Sequence, residues 1–220
     1  DEGAPDEGDD VAVREEGPDR AVRIGVLTAL FLLAALITRL LLSGWTIDPD
    51  LFFHLTSGHW IVTHHAIPTT DVLSWYGQTH ATRWLPHEWL FDVVFHLVWR
   101  SAGFQGVFAL TSVALGAAVL CTRRLAELRG ASWLTSLAIA LIAVAGMVRF
   151  ISPRPGAITF VLLPLIAIML EKDRWVPALL LFVLGMNFHG GAYPIYLLVI
   201  LYYASPKRLR MMAVACVLVL

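Results

Sequence analysis

The run Asp48-Pro49-Asp50-Leu51-Phe52-Phe53-His54 puts two carboxylates and an imidazole within one short stretch. Asp50 and His54 stand four residues apart and therefore share a helical face. Such a pair can bind a divalent cation together. Alternatively, Asp50 orients His54 or acts itself as a base. A purely structural account covers part of the run, with Asp48 as N-cap, Pro49 at the first helical position and Asp50 at the positive helix end. It leaves His54 unexplained, and a cap can also be catalytic.

His87 and Glu88 follow Pro86 at the start of a second helical stretch. Glu88 reads either as a helix-start acid or as a second carboxylate that completes a metal or substrate site. Asp92 and His96 continue its stripe at intervals of four and read as a solvated face. His64, His65 and His80 have no acidic partner at helical spacing and read as surface residues. Asn187 and His189, in Asn187-Phe188-His189-Gly190-Gly191, close an apolar run; the glycines end the helix, but polar groups at such depth need protein or water around them. Arg149 and Arg154 flank another apolar run, where a lipid headgroup or a bound phosphate would suit their planar guanidinium groups. A Gly-rich phosphate loop, a Gly-x-Ser-x-Gly elbow and a His-Glu-x-x-His zinc motif are all lacking from the sequence.

The elements that must position these groups read as membrane spans. Of the 220 residues 58% are hydrophobic and 15% charged, and the mean hydropathy is +0.71, outside the usual soluble range. Apolar runs at Ile24–Leu42, Phe104–Leu120, Ala131–Val148, Ala157–Leu170, Trp175–Phe188, Ala192–Ala204 and from Met211 onward suggest six to seven spans. With a cytoplasmic N-terminus, the inner connections hold eleven of the sixteen basic residues, among them Arg123, Arg124, Arg129, Lys172, Arg174, Lys207, Arg208 and Arg210. That bias fixes the orientation and puts residues 44–103, 149–156 and 187–191 on the outer side. Asp50–His64 and Glu88–Arg100 then read as amphipathic helices within the first outer loop. Residues 1–21 read as a disordered acidic tail and 22–220 as the transmembrane domain. The chain lacks an initiator Met and stops inside an apolar run, so a longer parent protein is expected. Basic residues form small loop clusters without interleaved aromatics, so no nucleic-acid partner is expected.

The segments Asp48-Pro-Asp-Leu-Phe-Phe-His54-Leu-x-x-Gly58, Ile67-Pro-x-x-Asp71, Trp84-x-x-His87-Glu88-Trp89-Leu90 and Asn187-Phe-His189-Gly-Gly resemble a group of bacterial multi-pass membrane proteins. That group is in turn similar in architecture to the GT-C glycosyltransferases, which include protein mannosyltransferases and the catalytic subunit of oligosaccharyltransferase. The resemblance covers nearly the whole chain after the tail. It implies acidic residues in the first outer loop, two interface helices after them, and transfer of a sugar from a polyprenyl-phosphate carrier. Many such enzymes use a divalent metal, here Mg2+ or Mn2+. By that likeness Asp48 or Asp50 would deprotonate the acceptor hydroxyl or hold the metal with His54, and Arg149 or Arg154 would bind the carrier phosphate. Two features depart from the pattern: no soluble C-terminal domain and several fewer spans.

The sequence therefore predicts an all-α, polytopic transmembrane bundle with two amphipathic helices in its first outer loop, in a bacterial plasma membrane. Its expected partners are the bilayer, a polyprenyl-phosphate sugar and an acceptor of unspecified class. Asp50, Asp48 and His54 are the catalytic candidates, and His87, Glu88, Arg149, Arg154, Asn187 and His189 the substrate-binding ones. A transporter or a non-catalytic scaffold with a metal- or partner-binding outer loop are the rival readings.

Overall fold

The structure, a computed structural model, describes residues 19–43, 49–147 and 152–204. Asp48, Arg149, most of the acidic tail, the basic cluster at Lys207–Arg210 and the run from Met211 lie outside the described residues.

The described chain is all-helical, and within it no strand forms. A single antiparallel bridge, Thr70 to Arg83, ties the loop ahead of the second outer helix. The helices are α1 (Arg20–Ser43), α2 (Pro49–His64), α3 (Trp75–His80), α4 (Trp89–Leu128), α5 (Trp133–Met147), α6 (Gly156–Glu171), α7 (Trp175–Phe188) and α8 (Tyr193–Tyr203), with a 3-10 turn at Gly190–Ala192 before α8. Local chemistry sets several starts. The Asp19 carboxylate accepts the Val22 N–H at 2.8 Å, Pro49 occupies the first position of α2 with Asp50 behind it, and Ser74 caps α3 through the Gly77 N–H.

Two helices, α1 and α4, are long and apolar enough to cross a membrane. The remaining apolar helices are shorter; α6, with 16 residues, spans roughly 24 Å at about 1.5 Å per residue. Helix α4 is broken at Gly103, whose φ of 59° and ψ of −160° belong to a region open essentially only to glycine. The break separates segment 89–102 from the long apolar segment 104–128.

Helix α4 is the hub, packing against α1, α2, α5 and α6, while α6 also holds α7 and α8. Leu51, Leu55, Phe91, Phe95 and Val107 form one core between α2 and α4. Leu162, Ile166, Trp175, Phe182, Tyr196 and Ile200 form another among α6, α7 and α8. Large leucines and isoleucines on α1, α5, α7 and α8 point outward instead, with Leu134 72% and Ile142 70% exposed.

One expectation is corrected. Periodicity puts Asp92 and His96 on a solvated face, but both are buried, at 1% and 4% exposure. The cause lies across the helix pair. A Cβ at Gly58 would stand 2.0 Å from the Asp92 carbonyl oxygen, so only glycine lets α2 come this close, and α2 then covers the polar stripe. His64, His65 and His80 are exposed, as their lack of acidic partners suggests.

Candidate functional site

The starts of α2, α4 and α6 meet the end of α7, and this is where the chemistry-bearing residues collect. Glu88 stands at the centre. It immediately precedes α4, its side chain is 20% exposed, and three imidazole Nε2 atoms surround its carboxylate: His54 at 3.9 Å, His87 at 3.7 Å and His189 at 3.6 Å. Burial raises its pKa; the neighbouring His54 and His87 work against that rise, while the charges of Asp92 and Asp50 reinforce it.

Each of the two buried histidines has its other ring nitrogen fixed. Nδ1 of His54 lies 2.7 Å from Asp92 Oδ1, so as N–H it donates to that carboxylate. The Ser57 hydroxyl donates to the other oxygen at 2.6 Å. His54 is also flanked edge-on by Phe91, with ring centres 4.9 Å apart. Across the site, His189 Nδ1 lies 2.7 Å from Thr159 Oγ1, and the Tyr196 hydroxyl donates to that same oxygen at 3.2 Å. Burial lowers the His189 pKa, and the neighbouring His87 and His54 lower it further, so the imidazole favours its neutral form.

The loop carrying His87 and Glu88 is pinned from the far side. The Gly190 N–H donates to the His87 carbonyl at 3.2 Å, and a Cβ at Gly190 would meet that oxygen at 2.9 Å. Asn187 adds a second tether, since its Oδ1 accepts from Trp89 Nε1 at 2.8 Å while its Nδ2 donates to the Val183 carbonyl at 2.8 Å. Asn187 therefore orients the start of α4 and caps the end of α7.

Asp50 and Arg154 form the outer edge of this group. Their side chains are 56% and 49% exposed and paired at 2.9 Å. Asp50 and His54, expected to act together from one helical face, thus engage different partners: Asp50 pairs with Arg154, His54 with Asp92 and Glu88. Among the described residues no set of three His, Cys, Asp or Glu side chains is placed to hold a metal ion. Asp50 and His54, where Mg2+ or Mn2+ is expected, turn to different partners and do not form a ready ligand pair.

Sequence reasoning overlooked Asp92, Ser57, Thr159 and Tyr196 as parts of this cluster. The signal available for Asp92 and Ser57 was their register: Ser57 lies three residues after His54, and Asp92 four after Glu88, so each continues a polar face. Thr159 and Tyr196 carry no such signal within apolar runs.

The opposite end of the bundle is different in kind. Arg129 pairs with Glu171 and donates to Tyr203 at 2.5 Å, and buried Arg123 bonds Glu127 at 2.7 Å and lies 4.1 Å over the Trp133 ring. The histidines thus gather at one end with Glu88, Asp50 and Arg154, while Arg123, Arg129 and Tyr203 share the other with Glu127 and Glu171. Compared with protein-family models, curated proteins and solved structures, the chain matches none.

Proposed function

We propose that the chain is a multi-pass membrane glycosyltransferase of the GT-C type, or a large part of one, moving a sugar from a polyprenyl-phosphate carrier to an acceptor hydroxyl at the outer face of a bacterial plasma membrane. The outward-facing apolar side chains of α1, α5, α7 and α8 support burial in lipid, where they would be satisfied without a protein partner. The cluster of Arg123, Arg124 and Arg129 at the end away from the histidines suits an N-terminus in the cytoplasm and a site on the outer side. The outer segment of α4 and helix α2 would then be the two interface helices.

The observation that carries the reading is Glu88, a half-buried carboxylate of raised pKa ringed by imidazoles and near enough to Asp50, the partner of Arg154, to feel its charge. A base with its pKa moved toward neutrality suits removal of a hydroxyl proton. In the reaction the acceptor O–H bond breaks and its proton passes to Glu88. The acceptor oxygen bonds the anomeric carbon, and the carbon–oxygen bond to phosphate breaks with its electrons on the phosphate. Arg154, sharing its charge between Asp50 and the incoming phosphate, stabilises that leaving anion. His87, with 64% of its side chain exposed, connects the carboxylate to solvent.

The test is purified full-length chain in liposomes with radiolabelled polyprenyl-phosphate hexoses and pentoses, following release of polyprenyl phosphate. Glu88→Gln should slow release by about 100- to 10,000-fold, the usual cost of losing a general base. Release from no donor by the wild type, or an undiminished rate in Glu88→Gln, would overturn the assignment. The buried line of titratable groups also favours a proton-coupled transporter. That alternative predicts proton flux in the same liposomes, loaded with a pH dye, in the absence of any sugar donor.

A further inference from the structure

The two histidines beside Glu88 are held by different kinds of partner. His54 Nδ1 faces a carboxylate, an acceptor with no proton to give, so that nitrogen carries the hydrogen and Nε2 presents a lone pair toward Glu88. His189 Nδ1 faces the Thr159 hydroxyl, which accepts from Tyr196 and can either donate to the ring or accept from it. Of the two, only the Asp92 contact fixes which ring nitrogen carries the hydrogen.

We propose that Asp92 and Ser57 are positioning residues that lock His54 as the Nδ1–H tautomer, making its Nε2 the second acceptor for the proton that Glu88 removes. The idea rests on the transferase reading above for its chemistry, but the tautomer does not. After transfer the proton moves from the Glu88 carboxyl to His54 Nε2; the 3.9 Å between them exceeds a direct hydrogen bond, so it crosses through one water. The carboxylate is regenerated and an imidazolium forms beside Asp92, whose charge stabilises it across 2.7 Å. The proton returns through Glu88 and the exposed His87 to solvent. The buried position of Asp92, at 1% exposure with each oxygen accepting a hydrogen bond, is what a fixed anionic partner requires; a buried carboxylate without such bonds is costly. The charged or titratable groups facing His54 are Asp92 and Glu88 from the α4 side, with His189 and His87 beyond Glu88.

The experiment is nitrogen-15 NMR of histidine-labelled full-length chain in nanodiscs, with His54 signals identified by their loss in His54→Gln. The expected result is a protonated Nδ1 and a bare Nε2 at His54 in the wild type. In Asp92→Asn the hydrogen should move to Nε2, because an amide can turn its NH2 toward the ring. Transfer by Asp92→Asn should fall by up to about 10,000-fold, the loss seen when the same change misorients the histidine of serine proteases. Ser57→Ala, which keeps the charge but loses the bond that fixes the Asp92 carboxylate, should retain the wild-type tautomer and slow transfer by less than Asp92→Asn does. A wild-type His54 with its hydrogen on Nε2, or a folded Asp92→Asn with an unchanged tautomer, overturns the proposal. Absence of sugar transfer alongside the expected tautomers would instead refute the transferase reading and leave the lock standing.

Discussion

Gly58→Ala should disable the α2–α4 contact, and the size of the effect follows from the geometry. The new Cβ would lie 2.0 Å from the Asp92 carbonyl oxygen, 2.5 Å from its carbon and 2.8 Å from the His96 Cβ. Ordinary contact begins at 3.4 Å, so the helices must part by about 1.4 Å to restore it. Backbone and a neighbouring Cβ form the obstacle, so no side chain can rotate away. Overpacking of this kind costs about 1–3 kcal/mol. A shift of that size also stretches the bond from His54 to Asp92, now 2.7 Å long, and losing a hydrogen bond to a charged group costs about 1.5–3 kcal/mol. Alanine regains about 1 kcal/mol of helix propensity, leaving a net loss of about 2 kcal/mol or more. For a chain of this size that lowers the melting temperature by about 4–8 °C. The assay is thermal melting of the detergent-solubilised full chain, followed by circular dichroism. Gly25→Ala is the control, because nothing lies within 4 Å of its added Cβ. If Gly58→Ala melts together with Gly25→Ala, the close approach of α2 and α4 is not what buries Asp92.

Stability should carry the mark of Glu88. Its pKa is raised in the folded protein above the ordinary 4.5. The favourable protonated form is therefore fully present below that value, and stability is lost as pH rises toward the folded pKa. Glu88→Gln should accordingly unfold at higher denaturant than the wild type at pH 7, with the gap closing at pH 4; a constant gap would refute the burial argument. Asp50→Asn should raise the donor KM while keeping kcat within about tenfold, because its partner is Arg154; a loss as deep as that in Glu88→Gln, about 100-fold or more, would return the base to Asp50. With the native cysteines replaced, Thr79→Cys and Arg124→Cys should react with impermeant maleimide from opposite sides of sealed vesicles. Labelling of both from one side defeats the proposed orientation.

The helices were readable in the sequence because each is a run with its own punctuation. Trp175–Phe188 was drawn with the bounds it has in the structure, and Asp50–His64 differs from α2 only in its first residue. Gly103 was legible as the close of the outer segment, since a glycine between an amphipathic stretch and an apolar run is a natural break. The cluster was legible in part. His54, His87, Glu88, Asn187 and His189 drew attention as polar residues in apolar surroundings, and the structure brings them to one end of the bundle. Asp92 was misread, and for a physical reason: a polar stripe facing water and a polar seam between two helices share the same period of 3.6 residues. Only the approach of α2 decides between them, and that approach is set by Gly58, a residue with no side chain to advertise it. Thr159 was hidden likewise, because a lone hydroxyl in an apolar helix ordinarily bonds its own backbone.

The spacing of these contacts along the chain also implies an order of assembly. His54 and Asp92 are 38 residues apart, whereas Trp89 and Asn187 are 98 apart. Closing the shorter loop loses less chain entropy, so the pairing of α2 with the start of α4 can form while later helices are still being synthesised. Glu88 then waits, with one histidine beside it and an open flank, until α7 arrives to supply the other and Gly190 fastens the His87 carbonyl. A ribosome-stalled chain ending near residue 130 would hold the His54–Asp92 pair and an unfinished carboxylate pocket. The ring of imidazoles around Glu88 thus closes only when the last described quarter of the chain has docked.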